Sequence, residues 1–527
     1  MTKSVQSLKE SVFFEPTSGF SIDISHCESM PQAVLEDSTL IEQCLAELRS
    51  LESGELVNQD EKRMVGHYWL RNPSLSPSPE IRRAIEESLD SLKEFAADIL
   101  SGGRFTDFCL VGIGGSALGP QLIADALAGP RPALQPHFLD NTDPIGILKV
   151  LATIPDLSKT LFIIISKSGG TPETRNGMEI LVTQLEAQNL SVSDRLVAIT
   201  QPDSLLSRRA RDERWLAQFP IWDWVGGRTS ISSAVGILPA LLSGIDVDSF
   251  LDGMAFMDHL TRAESSRENP ALILASVWRA MRNHSIPKDM VVLPYRDELL
   301  LMSRYLQQLV MESLGKEFTR EGKKVEEGIA VYGNKGSTDQ HAYVQQLRDG
   351  LSNFFATFIE VLSDSAEWIT PERASTVTRV LVDRENTSGE YLSGFLHGTR
   401  QALLEKGRPN VLLTIPALNP YTFGMLLALF ERAVTFYGSM AKINAYHQPG
   451  VEAGKRAASA QLELKKQVLE VLRSAGEALS LFEVHQGLIS SDVGSILARL
   501  RKLEADGQIV SDQNPSLFER KYRIEIN

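Results

Sequence analysis

Cysteine is scarce in this sequence. Cys27, Cys44 and Cys109 are the only three in 527 residues, and no two of them form a C-x-x-C pair. That excludes a disulfide framework and a thiolate zinc site, and it implies a reducing compartment. Histidine is scarce as well, nine residues without a cluster, so neither a metal nor another cofactor is expected. No apolar run approaches the ~18 residues of a membrane helix. The first residues, MTKSVQSLKE, carry no apolar signal core. Basic residues are not in excess: the net charge of −14 argues against a nucleic-acid or acidic-membrane surface as the main partner. The expectation is a soluble, cytoplasmic chain. Its 43% hydrophobic residues are enough for sizeable cores, and its length suits roughly three or four domains.

The chain is organised around LFIIISKSGGTPET, Leu161 to Thr174. Leu161–Ile165 reads as a strand buried on both faces of a parallel sheet. Ser166, Lys167 and Ser168 then offer two hydroxyls and a cation, Gly169 and Gly170 permit a tight turn, and Thr171-Pro172 opens a helix. A helix N-terminus facing hydroxyls, glycines and a lysine suits an anion, phosphate above all. A merely polar strand–helix turn is the plainer alternative.

Residues 1–98 show no strand–helix alternation and read as a helical arm, with helices over Ala33–Leu51 and Glu80–Leu100 and a Pro/Ser-rich link at Asn72–Pro79. Over residues 99–284 strands and helices alternate, with strands at Phe108–Gly112, His137–Asp140, Leu161–Ile165 and Arg195–Thr200. The alternation restarts over 285–460. Strands are expected at Asp289–Pro294, Thr376–Val382 and Asn410–Ile415, a helix through Leu299, Met302, Leu306, Leu309 and Val310, and a long apolar helix after Pro420. Two doubly wound α/β domains with parallel sheets follow, with sites at the carboxyl ends of their strands. Residues 461–527 differ. Three apolar helical stripes, then Ile509-Val510 and the alternating Tyr522, Ile524 and Ile526, predict a winged-helix-like extension. Its nine Lys and Arg against ten Asp and Glu leave no basic face for DNA.

Several other segments carry chemistry. Gly112-Ile113-Gly114-Gly115-Ser116-Ala117 fits G-x-G-x-x-A after a strand, with Asp140 ending the next strand. A dinucleotide site is therefore a competitor, but two anion loops on neighbouring strands suit one small phosphorylated ligand better. Arg228, in Gly226-Gly227-Arg228-Thr229-Ser230, either pairs a surface carboxylate or faces an anion. Glu312 ends an apolar helix, where the negative dipole end favours a base, with Gly315 placed as a cap; a solvated glutamate is the plainer reading. His341 follows the polar loop Gly336-Ser337-Thr338-Asp339-Gln340, and Lys455 follows His447-Gln448-Pro449-Gly450 on a helix start. A single histidine is more often a structural hydrogen-bonder than a catalyst, but a place directly after a polar loop favours a role for His341; a lysine on a helix is usually solvated, so Lys455 alone says little.

Together, GIGGSALGP from Gly112, SKSGGTPET from Ser166, GGRTSISSAVG from Gly226, ESLGK from Glu312, GSTDQHAYVQQ from Gly336 and GVEAGK from Gly450 resemble the glucose-6-phosphate isomerase (phosphoglucose isomerase) family over roughly residues 100–460. The resemblance implies reversible isomerisation of glucose 6-phosphate and fructose 6-phosphate, a step of glycolysis and gluconeogenesis, through an enediolate. It makes Glu312 the base between C2 and C1 and places Arg228 beside the enediolate. It gives His341 and Lys455 to ring opening, with His341 supplied by the other subunit of a homodimer. It sets the phosphate against Ser116, Ser166, Ser168 and Thr171, with Lys167 adjacent and Gln448 near. These residue types fit the chemistry: a His and a Lys can divide ring opening, and a carboxylate with a cation suits proton transfer through an enediolate. The glycine-rich Ser168-Gly169-Gly170 is similar to a wider class of sugar-phosphate isomerases, which leaves mannose 6-phosphate or amino sugar phosphates open as substrates. From a different class, a sugar-phosphate-sensing regulator using the helix-turn-helix-like tail is the alternative. It would not need Glu312, His341 and Lys455 together. The resemblance says nothing of residues 461–527.

Overall fold

The structure, a computed structural model, describes residues 5–27, 31–488 and 492–525, except the side chains at 7, 451–453, 455 and 456. The chain divides into two compact units, residues 1–447 and 448–527.

The N-terminal arm is not helical throughout. Strands β1 (Val12–Phe14) and β2 (Ser21–His26) form an antiparallel pair. In β2 the alternation of SIDISH buries Ile22 and Ile24 while its neighbours stay half-buried. The helix expected from Ala33 is broken: Gln32–Leu35 stops, and Asp37 caps a second helix, Ser38–Glu52, by accepting from the Leu40 amide at 3.0 Å. Ser78 caps the helix Pro79–Gly102 in the same way.

Five parallel strands form the first sheet: β3 (Asp107–Val111), β4 (Gln135–Leu139), β5 (Thr160–Ile165), β6 (Leu196–Thr200) and β7 (Ala217–Pro220), in the order β4-β3-β5-β6-β7. β3, β5 and β6 are buried along their whole length, as apolar runs covered by helices on both faces should be. Val111 pairs with Leu139 on one side and Ile164 on the other. The order reverses at β3, so the loops after β3 and β5 open onto one crevice at the carboxyl edge.

The second sheet holds β8 (Asp289–Pro294), then, after the separate hairpin β9 (Lys316–Phe318) and β10 (Lys324–Glu327), β11 (Val331–Tyr332), β12 (Phe354–Val361) and β13 (Asn410–Ile415), in the order β1-β2-β13-β12-β8-β11. Its four later strands are parallel, and β2 joins β13 antiparallel. The strand expected at Thr376–Val382 is absent. Thr370 and Pro371 start a helix, Pro371–Thr378, and Val377, Val380, Leu381 and Val382 are exposed. The missing strand is β12, passed over in the sequence although seven of its eight residues are buried. The helix Pro420–Met440 is buried on all sides and packs against Val247–Leu260 and Pro270–Arg282.

In the second unit, helices Pro449–Ala475, Leu481–Gly487 and Val493–Ala505 accompany the small antiparallel sheet β14 (Leu479–Ser480), β15 (Ile509–Ser511) and β16 (Lys521–Ile524), ordered β14-β16-β15. Val468, Val484, Ile496, Leu500 and Tyr522 form its core. Ile526 lies outside the described residues. Among the described residues, no helix is long and apolar enough to cross a membrane.

Candidate active site

Two loops at the crevice of the first sheet carry the expected hydroxyls. After β3 the chain turns through Gly114–Ser116 into the helix Leu118–Leu127. After β5, Ser166 Oγ donates to Thr171 Oγ1 at 3.3 Å and accepts from the Gly169 amide at 3.1 Å, and Ser168 Oγ accepts from the Gly170 amide at 3.2 Å. The turn is thus wound around its own hydroxyls at the N-terminus of the helix Pro172–Ala187. Lys167 departs from the picture of a free phosphate-facing cation. Its Nζ donates to the carbonyls of Asp223 and Val225, both at 2.8 Å, and burial, with Arg63 nearby, brings it down to about 8.

The third loop, Gly227–Thr229, is pressed against the first. A Cβ on Gly115 would fall onto the Gly227 carbonyl, and Ser230 Oγ donates to the Gly115 carbonyl at 3.3 Å. Arg228 is buried here rather than solvated. Its Nη2 donates to the carbonyls of Ala445 at 3.1 Å and His447 at 3.2 Å, and its Nη1 stands 3.3 Å from Glu312 Oε2. Burial lowers the Arg228 pKa, and Glu312 opposes that shift.

Glu312 reaches this point from the second domain. The helix Met302–Leu306 continues as a π-helix, Gln307–Glu312, and Gln308 lies over Gly114 of the first loop. π-Helical turns are frequent at functional sites. Gly315 is not the left-handed cap expected of it; its lack of a side chain matters because a Cβ would stand 2.7 Å from the Met311 carbonyl. Asp140, the residue that suggested a dinucleotide, is held by Gln121 at 2.9 Å and Arg304 at 3.1 Å.

The structure therefore brings together the loops of Ser116 and Arg228 with Glu312, and gathers Ser166, Ser168 and Thr171 on the neighbouring loop of the same edge. His341 is exposed at the end of the turn Thr338–His341 after β11. Among the described residues no hydrogen bond or ion pair holds its ring. Asp339 anchors that turn, accepting from the Asn334 amide at 2.9 Å and from Tyr343 Oη. Gln448 and Lys455 belong to the second unit, at the N-cap and in the first turns of the helix Pro449–Ala475; the Lys455 side chain lies outside the described residues. Two residues beside Glu312 escaped the sequence reading, Gln308 and Lys316. The available signal was their spacing from Glu312, four residues to either side.

The family model for phosphoglucose isomerase matches residues 32–474. The chain belongs to the phosphoglucose isomerase family. It is 50% identical over 510 residues to the glucose-6-phosphate isomerase of Thermosynechococcus vestitus, covering 95% of this chain and 94% of that protein. It is 48% identical over 519 residues to the one of Geotalea daltonii, covering 96% of each. The crystal structure of a glucose-6-phosphate isomerase from Chlamydia trachomatis superposes with a TM-score of 0.77 at 27% identity, covering 88% of this chain and 92% of that one. The family match starts well before residue 100, in the N-terminal arm. The bacterial relatives leave too few residues unmatched for the whole of 461–527 to lie beyond them.

Proposed function

We propose that the chain interconverts glucose 6-phosphate and fructose 6-phosphate. The observation that carries this reading is the Arg228–Glu312 pair, 3.3 Å apart at the carboxyl edge of a doubly wound sheet and beside two hydroxyl-lined loops. In this reading the sugar phosphate enters with its phosphate on the hydroxyls of Ser116, Ser166, Ser168 and Thr171, at helix N-termini that favour an anion. Lys167 ties its loop to the 223–225 segment and adds positive charge. His341 and Lys455 share ring opening, one giving a proton to the ring oxygen while the other takes one from the anomeric hydroxyl. Glu312 then takes the C2 proton, Arg228 offsets the charge on the enediolate oxygens, and Glu312 returns the proton to C1. Gln448 completes the phosphate contacts.

His341 serves a neighbouring copy in this reading, which makes the enzyme a homodimer with shared sites, working in the cytoplasm and without nucleic-acid or membrane partners. Its exposure supports this, and so does its setting. Gln340 Nε2 donates to the Phe395 carbonyl at 3.1 Å, and Phe395 belongs with Tyr391, Val377, Val380, Leu381 and Val382 to an exposed apolar stretch, the type of surface that marks an interface.

The test is turnover of fructose 6-phosphate by the purified full-length protein, read by a coupled glucose-6-phosphate dehydrogenase without added metal. Turnover is expected. Its absence, with mannose 6-phosphate or an amino sugar phosphate accepted instead, would move the substrate within the class.

A further inference from the structure

Lys316 closes the segment Glu312-Ser313-Leu314-Gly315-Lys316 and takes no part in the chemistry above. It is only 6% exposed. Its Nζ donates to the carbonyl of Glu312 at 2.7 Å and to that of Ser313 at 2.8 Å. These carbonyls belong to the last turn of a helix, where backbone acceptors have no partner further along. The lysine reaches back to them because the chain at Gly315 passes close to the Met311 carbonyl, where a Cβ would not fit.

A buried ammonium is an expensive way to cap a helix here. Arg228 adds to burial in bringing Lys316 down to about 7, while Glu312 and Asp60 pull the other way, and His447 feels the same charge. A lysine buried near a buried guanidinium costs desolvation and repulsion, and the two side chains bear on one residue: Arg228 on the Glu312 carboxylate, Lys316 on the Glu312 backbone.

We propose that Lys316 is a positioning residue for the proton transfer, holding the carbonyls of Glu312 and Ser313 so that the Glu312 carboxylate is aimed at both reacting carbons. This rests on the reading of Glu312 as the base. A single carboxylate must remove a proton from one carbon, leave the electron pair in the enediolate, and give the proton to the adjacent carbon before water exchanges it. A carboxylate displaced by ~1 Å loses about 10²-fold in rate, and it loses fidelity too, because the protonated acid waits longer.

The experiment follows glucose 6-phosphate deuterated at C2 and measures the share of deuterium retained at C1 of the product. In full-length Lys316→Met, kcat is expected to fall by about 10–100-fold with KM within about threefold, and the retained share to fall by roughly threefold or more. A lysine that merely stabilises the fold would lower the amount of active enzyme and leave this ratio unmoved. Lys316→Gln keeps a donor for one carbonyl and should fall between; it decides the matter if Lys316→Met does not accumulate. An unchanged retained share in the folded variants overturns the proposal. Normal turnover by Glu312→Gln would instead remove the base on which it rests, so the two failures are distinguishable.

Discussion

Gly115 and Gly227 lie backbone against backbone, so closely that a Cβ on the first would fall onto the carbonyl oxygen of the second. This contact locks the loop after β3 to the loop that carries Arg228. The placement of a buried guanidinium against Glu312 thus depends on the absence of a side chain at Gly115, whereas a Cβ on Gly227 would meet nothing.

Gly115→Ala should drive these loops apart. The expected cost is about 1–3 kcal/mol of stability from overpacking and roughly 10²-fold in kcat from the displaced guanidinium. Thermal melting and steady-state kinetics on the same preparation check both. Unchanged kinetics would mean that Arg228 does not need this contact.

Lys167 gives a pH signature. Burial lowers it from 10.5 to about 8. Between those values the unfolded chain keeps a proton that the folded chain has released, so this group makes stability rise with pH across that window; below about 8 the fold bears the full cost of the buried charge. Urea midpoints of wild type and Lys167→Met, compared at about pH 7.5 and about pH 9.5, should show the wild type gaining on the variant at the higher pH. A constant difference would contradict the shift.

The sequence made the strands β3, β5, β8 and β13 legible because each is a short apolar run buried on both faces. The glycine and hydroxyl loops that follow β3 and β5 stood out for the same contrast. β2 was hidden because its alternation is short and lies in a segment otherwise helical. β12 lost to Thr376–Val382, where β-branched residues outvoted the Thr370-Pro371 helix start. The site was legible as residue types, and its pairing was not: Arg228 and Glu312 meet through tertiary packing that no local pattern encodes. Lys167 and Lys316 show the same limit: in the sequence the first reads as a cation beside the phosphate and the second does not stand out, and both are committed to backbone carbonyls.

The 461–527 segment should leave the full-length protein without affinity for duplex DNA. Its nine basic and ten acidic residues leave no electrostatic footprint. Fluorescence anisotropy at moderate salt should stay flat; salt-dependent binding near micromolar concentration would revive the sensing alternative.

A shared site has a sharp genetic consequence. His341→Ala and Glu312→Gln should each be inactive as homodimers, and mixing them under conditions of subunit exchange should restore activity, because one site of each hybrid holds both intact residues. Demonstrated exchange without recovery would place His341 in the site of its own chain or outside the mechanism.

The central claim is that Glu312 moves the proton, and Glu312→Gln tests it most directly. The amide keeps the shape of the side chain, so folding and phosphate binding should persist, with isomerisation lower by at least ~10²–10⁴-fold. Glucose 6-phosphate labelled at C2 should then keep its label over the time in which the wild type removes it. Near-normal turnover, or continued loss of the C2 label, would contradict the account.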